Sequence, residues 1–214
     1  MDSDVLNIHA RDSVSRALVP LGAGLARAGV SADMITVIGT LGAVGGSVGL
    51  LANGYWFAGT LVITFFVLLD MVDGAVARAR GGGTAFGAVL DSTSDRVADA
   101  AVFGSIAWYF ALHGQRWMLL AALLCLILGA LTSYIRARAE AAGLSATVGV
   151  AERAERLIIV LVGTGLTGFP GLHLPYVLAI ALWLLVAAST MTVVQRLATV
   201  RAQTRPTARG TAAR

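Results

Sequence analysis

The sequence predicts an all-helical integral membrane protein, with six transmembrane helices preceded by an N-terminal interfacial amphipathic helix. Three observations carry that prediction. Hydrophobic residues make up 57% of the 214 residues and charged residues 13%, and the mean hydropathy of +0.79 lies outside the balance of a soluble domain. Apolar runs recur near the roughly 20 residues that a helix needs to cross the hydrocarbon. Arginines are distributed unevenly about those runs: all but Arg116 of those flanking them fall on one side, which the positive-inside rule makes cytoplasmic.

Taken in order, residues 1–30 read as an N-terminal segment. Val14, Leu18, Leu21 and Leu25 fall near one helical face with Arg16 and Arg27 opposite, the pattern of a helix lying in the interface, with a kink at Pro20. Asp2 and Asp4 precede the first apolar stretch, so no signal peptide is expected. Residues 31–200 read as the six-helix transmembrane domain. From Met34 to Leu69 there is no Asp, Glu, Arg or His, giving a hairpin of two spans about the turn Asn53-Gly54-Tyr55. Val97–Gln115 and Trp117–Ile135 supply two more around a polar tip at His113–Arg116, and Leu157–Gln195 the last two around Pro170, His173 and Pro175. Both termini are then cytoplasmic, and the location is the cell membrane. Gly42 and Gly46, like Gly45 and Gly49, have the spacing that lets helices approach closely; a homodimer is expected, with this face as one candidate interface that the sequence does not fix. Residues 201–214, rich in Arg, Ala and Thr without an apolar period, read as a basic disordered tail.

Composition excludes several chemistries. All sixteen Lys+Arg residues are arginines, which removes the P-loop lysine, Schiff-base catalysis and HKD-type phosphodiesterase chemistry. The single cysteine, Cys125, sits in the apolar run Leu119–Leu128, where it forms no intrachain disulfide or thiolate cluster and reads as packing. The net charge of +4 comes from arginines at the ends of apolar runs, which fits anionic lipid or an anionic substrate rather than nucleic acid.

The informative stretch is DMVDGAVARARGGGTAFGAVLDSTSD, Asp70 to Asp95. Asp70 and Asp73 are spaced i,i+3 on one predicted helix, and Asp91 and Asp95 i,i+4 on the next, so each pair shares a face. Gly81-Gly82-Gly83 lets the chain reverse between them. Two antiparallel helices then bring four carboxylates together, which repel unless cations of high charge density lie among them. Hard oxygen donors select Mg²⁺ or Mn²⁺, two ions, rather than zinc. Such a site serves phosphoryl transfer or a cation or proton pathway in a transporter. The acids lie at the cytoplasmic ends of their spans, beside Arg78 and Arg80 rather than at the midplane, which favours an interfacial enzyme.

The spacing D-x2-D-G-x2-A-R-x8-G-x3-D-x3-D, through Asp70, Asp73, Gly74, Ala77, Arg78, Gly87, Asp91 and Asp95, resembles the CDP-alcohol phosphotransferase family. The resemblance implies that Asp70, Asp73, Asp91 and Asp95 bind metal, that Asp95 is also the general base, and that a CDP-linked lipid is the donor. It places the donor against Asp33, Thr36 and Asp73, with Gly74, Ala77, Arg78, Thr84 and Gly87 completing that site. Gly74 and Gly87 would let a diphosphate approach the backbone, and Arg78 would pair with a phosphate oxygen. Asp33 and Thr36 resemble the family's P-[ND]-x-x-T segment, with Ala32 where the pattern has proline; a helix N-cap explains them equally.

A second cluster comprises SYIRARAE, Ser133 to Glu140, AERAERLIIV, Ala151 to Val160, and Gln195-Arg196. Arg136 with Glu140 and Glu152 with Arg156 are i,i+4 pairs that solvate helix ends, and on a regular helix Arg136 and Arg138 cannot both face one pocket. No Asp or Glu follows Glu155, so the partner of Arg196 is a lipid phosphate, a substrate phosphate or a carboxylate from another helix. Clustered guanidinium groups favour a phosphorylated acceptor. The two segments resemble the inositol-phosphate-using branch of the family, which implies acceptor contacts from Ser133, Arg136, Arg138, Arg153, Arg156 and Arg196. The expected reaction transfers the phosphatidyl group of CDP-diacylglycerol to inositol phosphate, giving phosphatidylinositol phosphate and CMP. Glycerol 3-phosphate as acceptor and a divalent-cation transporter are the alternatives.

Overall fold

A computed structural model describes residues 20, 22–172, 174 and 176–204, and among these every regular element is helical. The described residues fall into two compact units, one up to Ser105 and one from Ile106 onward.

The first unit begins with helical residues 22–27. Leu25 packs, with Ala26 and Val30, against the buried cluster of Ile35, Val72 and Val76, and a Cβ at Gly22 would lie 2.7 Å from the backbone of Ala75. This end of the expected interfacial helix is therefore folded onto protein, while Val14, Arg16, Leu18 and Leu21 lie outside the described residues. Ser31 caps helix α1 (Ala32–Gly49) by accepting the Met34 N–H at 3.1 Å. A short 3₁₀ turn, Leu51–Asn53, and Gly54 at φ 80° make the reversal expected at Asn53-Gly54-Tyr55 and lead into α2 (Trp56–Asp70).

The α1–α2 hairpin is built on small residues. The Gly42 Cα faces the Phe66 ring, and a Cβ at Gly46 would lie 2.9 Å from Val62. Where the surrounding lipid is as apolar as the helices themselves, such close approach is what holds them together. Gly42 and Gly46 thus serve packing within the chain, whereas nothing lies within 4 Å of a Cβ at Gly45 or Gly49. A short helix α3 (Asp73–Ala79) follows. Gly81 and Gly82, at φ 97° and 126°, then reverse the chain into α4 (Ala85–Leu112).

The second unit contains the end of α4, α5 (Arg116–Ala141), α6 (Arg153–Thr167) and α7 (Val177–Gln203). Its core includes Ala121, Ala122, Val160, Leu178, Leu182 and Leu185, all buried. Cys125 is buried among them, its thiol 3.4 Å from the Leu182 carbonyl, as the packing reading requires. Helix α7 runs on to Gln203, so the first residues of the tail segment are ordered; residues 205–214 lie outside the described part.

The protein is a membrane protein. Four segments are long and apolar enough to span by length and composition: Ala32–Asn53, Trp56–Ala79, Arg116–Ala141 and Val177–Gln203. The other two expected crossings fall on α4, which carries Asp91, Asp95, Arg96 and Asp99 up to its midpoint, and on α6, whose 15 residues rise only about 22 Å.

Candidate metal and phosphate site

The carboxylates are gathered by a break in the second span. At the end of α2, Met71 N–H still makes an ordinary helical bond to Val67 O at 3.4 Å, but Val72 N–H bonds Leu69 O at 3.0 Å, and this one tightened turn separates Asp70 from Asp73. The two were expected one turn apart on a single helix, but instead they flank this break, with Asp73 opening α3. The Thr36 hydroxyl of α1 donates to Asp73 Oδ2 at 2.6 Å. On the other side of the glycine reversal, Thr84 caps α4 by accepting the Gly87 N–H at 2.9 Å, which starts the helix in the register that carries Asp91 and Asp95.

Carboxylate oxygens of Asp70, Asp91 and Asp95 lie within 4.8 Å of one another. Like charges at that separation repel, and all-oxygen donors of this kind suit Mg²⁺ or Mn²⁺. The residues therefore fit the expected metal. Asp73 is held apart by Thr36 yet remains in the electrostatic reach of both Asp91 and Arg78.

The residues expected at the donor border this cluster. Asp33 lies in the first turn of α1 and Thr36 at the start of the second, with Ser31 rather than Asp33 as the cap. A Cβ at Gly87 would sit 3.1 Å from Thr84 Oγ1 and 3.3 Å from Asp33 Oδ1, so glycine there lets the Asp33 carboxylate come close to the first turn of α4. A Cβ at Gly74 would sit 3.4 Å from Arg78 Nη1; Ala77 is half-buried and Arg78 exposed on α3. Arg80 reaches back to the Ala26 carbonyl at 3.4 Å. The motif reading passed over Asp99, which is buried, with Arg96 lying 3.7 Å from it and 3.9 Å from Asp95. The signal was present as the i,i+4 continuation Asp91, Asp95, Asp99.

In the second unit, Arg156 and Arg196 converge on one residue of α5. Arg156 Nη1 donates to Thr132 Oγ1 at 2.8 Å and to Gly129 O at 3.2 Å, and Arg196 Nη1 donates to Thr132 O at 2.6 Å. A Cβ at Gly129 would lie 3.1 Å from Arg156 Cζ, so this glycine lets the guanidinium lie against the helix. Arg196 Nε donates to Val148 O at 2.9 Å, and its Nη2 stands 3.9 Å from Glu152. The carboxylate from another element that the sequence allowed as the partner of Arg196 is thus Glu152. Ser133 and Arg153 are half-buried, Ser133 donating to Gly129 O at 3.3 Å. Arg136 and Arg138 are exposed on α5, Arg136 forming the expected pair with Glu140 at 2.9 Å. Thr132 and Gly129 were not singled out; a threonine and a glycine one turn apart in an apolar helix carry no charge pattern to mark them.

Residues 30–200 match the CDP-alcohol phosphatidyltransferase family model, and the chain belongs to that family. More particularly, it is 49% identical over 192 residues to the phosphatidylinositol phosphate synthase of Mycobacterium tuberculosis (strain ATCC 25618 / H37Rv), covering 89% of this chain and 88% of that protein. It is 44% identical over 214 residues to the synthase of that name from Streptomyces avermitilis, covering 98% of this chain and 88% of that protein. A crystal structure of the M. tuberculosis synthase with CDP-DAG bound superposes with a TM-score of 0.84 at 48% identity, covering 93% of this chain and 100% of that one. Another, in complex with manganese and citrate, gives 0.83 at 48% identity over 92% and 93% of the two chains. Family membership makes the chain an enzyme of phospholipid biosynthesis and leaves the transporter reading unsupported.

Proposed function

We propose that the protein transfers the phosphatidyl group of CDP-diacylglycerol to inositol phosphate, releasing CMP and forming phosphatidylinositol phosphate. The observation that carries this reading is the convergence of Asp70, Asp91 and Asp95 on one point in a family whose relatives act on CDP-linked donors. Asp95 takes the proton of the acceptor hydroxyl. That oxygen bonds the diacylglycerol-linked phosphorus as the bond from phosphorus to the bridging oxygen breaks, and CMP departs with that oxygen. Mg²⁺ or Mn²⁺, two ions held by Asp70, Asp73, Asp91 and Asp95, would neutralise diphosphate charge.

Asp33, Thr36, Asp73, Gly74, Ala77, Arg78, Thr84 and Gly87 receive the nucleotide end of the donor, with Arg78 pairing to phosphate and Thr36 fixing the Asp73 carboxylate. Ser133, Arg136, Arg138, Arg153, Arg156 and Arg196 receive inositol phosphate. Clustered guanidinium groups favour a phosphorylated alcohol, since a neutral one would leave the charge uncompensated. The donor's acyl chains stay in the bilayer while its head and the acceptor come from the cytoplasm, in a homodimer of six-span subunits with both termini cytoplasmic.

The test is CMP release from CDP-diacylglycerol by purified protein with Mg²⁺ or Mn²⁺. Release is expected with inositol phosphate, and equal turnover with glycerol 3-phosphate would overturn the acceptor assignment.

A further inference from the structure

The loop between α5 and α6, residues 142–152, has no regular structure over most of its length, yet it is fastened along one face of α7. Thr192 Oγ1 accepts two consecutive loop amides, Val150 N–H at 3.2 Å and Ala151 N–H at 3.1 Å, while donating to Ala188 O at 2.9 Å. One turn further on, Arg196 Nε holds Val148 O. Beyond it the Gln203 amide pairs with the Ser145 backbone in both directions, Nε2 to Ser145 O at 2.6 Å and Ser145 N–H to Oε1 at 2.9 Å. Positions 192, 196 and 203 share one helical face. Thr192 is fully buried, as are Ala146 and Ala151 of the loop. A Cβ at Gly149 would sit 2.5 Å from Thr192 Cγ2, so the loop backbone lies directly on this side chain. Irregular backbone next to a membrane span needs such partners, because each unmet amide is costly there.

We infer that Thr192 is a positioning residue for the acceptor: its hydroxyl fixes the loop whose Val148 carbonyl orients Arg196 and whose end launches α6 with Arg153 and Arg156. Gln203 supports the same loop from its other end. The inference rests on the acceptor role proposed above for Arg156 and Arg196. Thr192 is a close neighbour of these residues in the fold, but its hydroxyl is spent on the backbone amides and the Ala188 carbonyl, so it acts through the arginines. Loss of the hydroxyl frees two amides and lets the Arg196 fork wander, which weakens acceptor binding in ground and transition states alike and raises KM with little change in kcat.

The experiment measures CMP release with each substrate varied in turn, for wild type, Thr192→Val, Thr192→Ser and Gln203→Leu. Thr192→Val, which keeps the shape and removes the hydroxyl, is expected to raise KM for inositol phosphate about tenfold. KM for CDP-diacylglycerol and kcat should stay within about twofold. Thr192→Ser should restore the wild-type KM, and Gln203→Leu, at an exposed position, should shift KM for the acceptor in the same direction by a smaller factor. An unchanged acceptor KM in both Thr192→Val and Gln203→Leu overturns the inference. So do parallel rises in both substrates' KM, or a serine variant no better than valine. Wild-type turnover with glycerol 3-phosphate in place of inositol phosphate would overturn the acceptor reading alone; the Thr192 comparison is then decided by KM for glycerol 3-phosphate.

Discussion

Asp70, Asp91 and Asp95 bring like charges within 4.8 Å of one another at partly open positions, whereas Arg156 and Arg196 are buried and spend their donors on carbonyls and a hydroxyl of their own unit. The first region offers a divalent cation its oxygen donors. The second is anchored by helix and loop oxygens, while its net positive charge is left for an anionic substrate. The contrast separates two ways of keeping ionised groups in a membrane protein: carboxylates grouped so that a divalent ion fits among them, and guanidinium groups pinned by backbone oxygens. It also predicts opposite responses to substitution. Removing an acid should relieve the metal-free protein, and removing an arginine should weaken it.

The largest effect is expected at the acids. Under the proposed mechanism Asp95→Asn removes the proton acceptor and a metal donor together, and CMP release should fall by about 10³-fold or more. Asp91→Asn should also cripple turnover, while in chelator it should melt at a higher temperature than wild type, because one repulsive charge is gone. Thermal unfolding of both proteins with chelator and with added Mn²⁺ checks this: the wild type should gain more from the ion than the variant. A wild type indifferent to Mn²⁺ would remove the contrast between the two regions.

The acids could be read from sequence because their meaning lies in spacing. Asp70, Asp73, Gly74, Arg78, Gly87, Asp91 and Asp95 keep fixed separations, and helix periodicity converts separation into a shared face. The apolar runs exposed the helices in the same way. Less legible was whatever depends on a contact with backbone. The turn at Met71-Val72 follows from how α2 ends and from the bond that Thr36 offers Asp73, a partner 37 positions away. The partners of Arg196 were sought among phosphates and carboxylates, yet two of them are the carbonyls of Thr132 and Val148, which every sequence possesses everywhere. Gly42 and Gly46 had the right spacing for close packing, and spacing alone could not tell that the neighbour is α2 of the same chain.

An intermediate effect is expected at the pinned arginines. Arg196→Ala would remove the bonds that the buried guanidinium makes to the Thr132 and Val148 carbonyls, at about 1–3 kcal/mol in all, and should lower stability with or without Mn²⁺. Arg196→Lys keeps the charge but not the planar fork that reaches both carbonyls. It should retain more stability than alanine while raising KM for inositol phosphate about tenfold. Chemical denaturation in detergent beside substrate-dependence curves separates the two effects. An alanine variant as stable as wild type would mean that the second region is not self-sufficient.

The smallest effect is expected at Arg136, which shares the arginine cluster in sequence but not its burial. Its partner Glu140 lies 2.9 Å away on the same helix, and both side chains are about half exposed, so water screens the pair. Arg136→Ala should change stability by no more than about 0.5 kcal/mol. KM for inositol phosphate should rise by about twofold, far less than for Arg196→Lys, because an exposed side chain must give up its own motion to hold a phosphate. If Arg136→Ala instead matches Arg196→Lys in the acceptor KM, burial is not what ranks these arginines, and the division between pinned and solvated guanidinium groups has to be redrawn around reach.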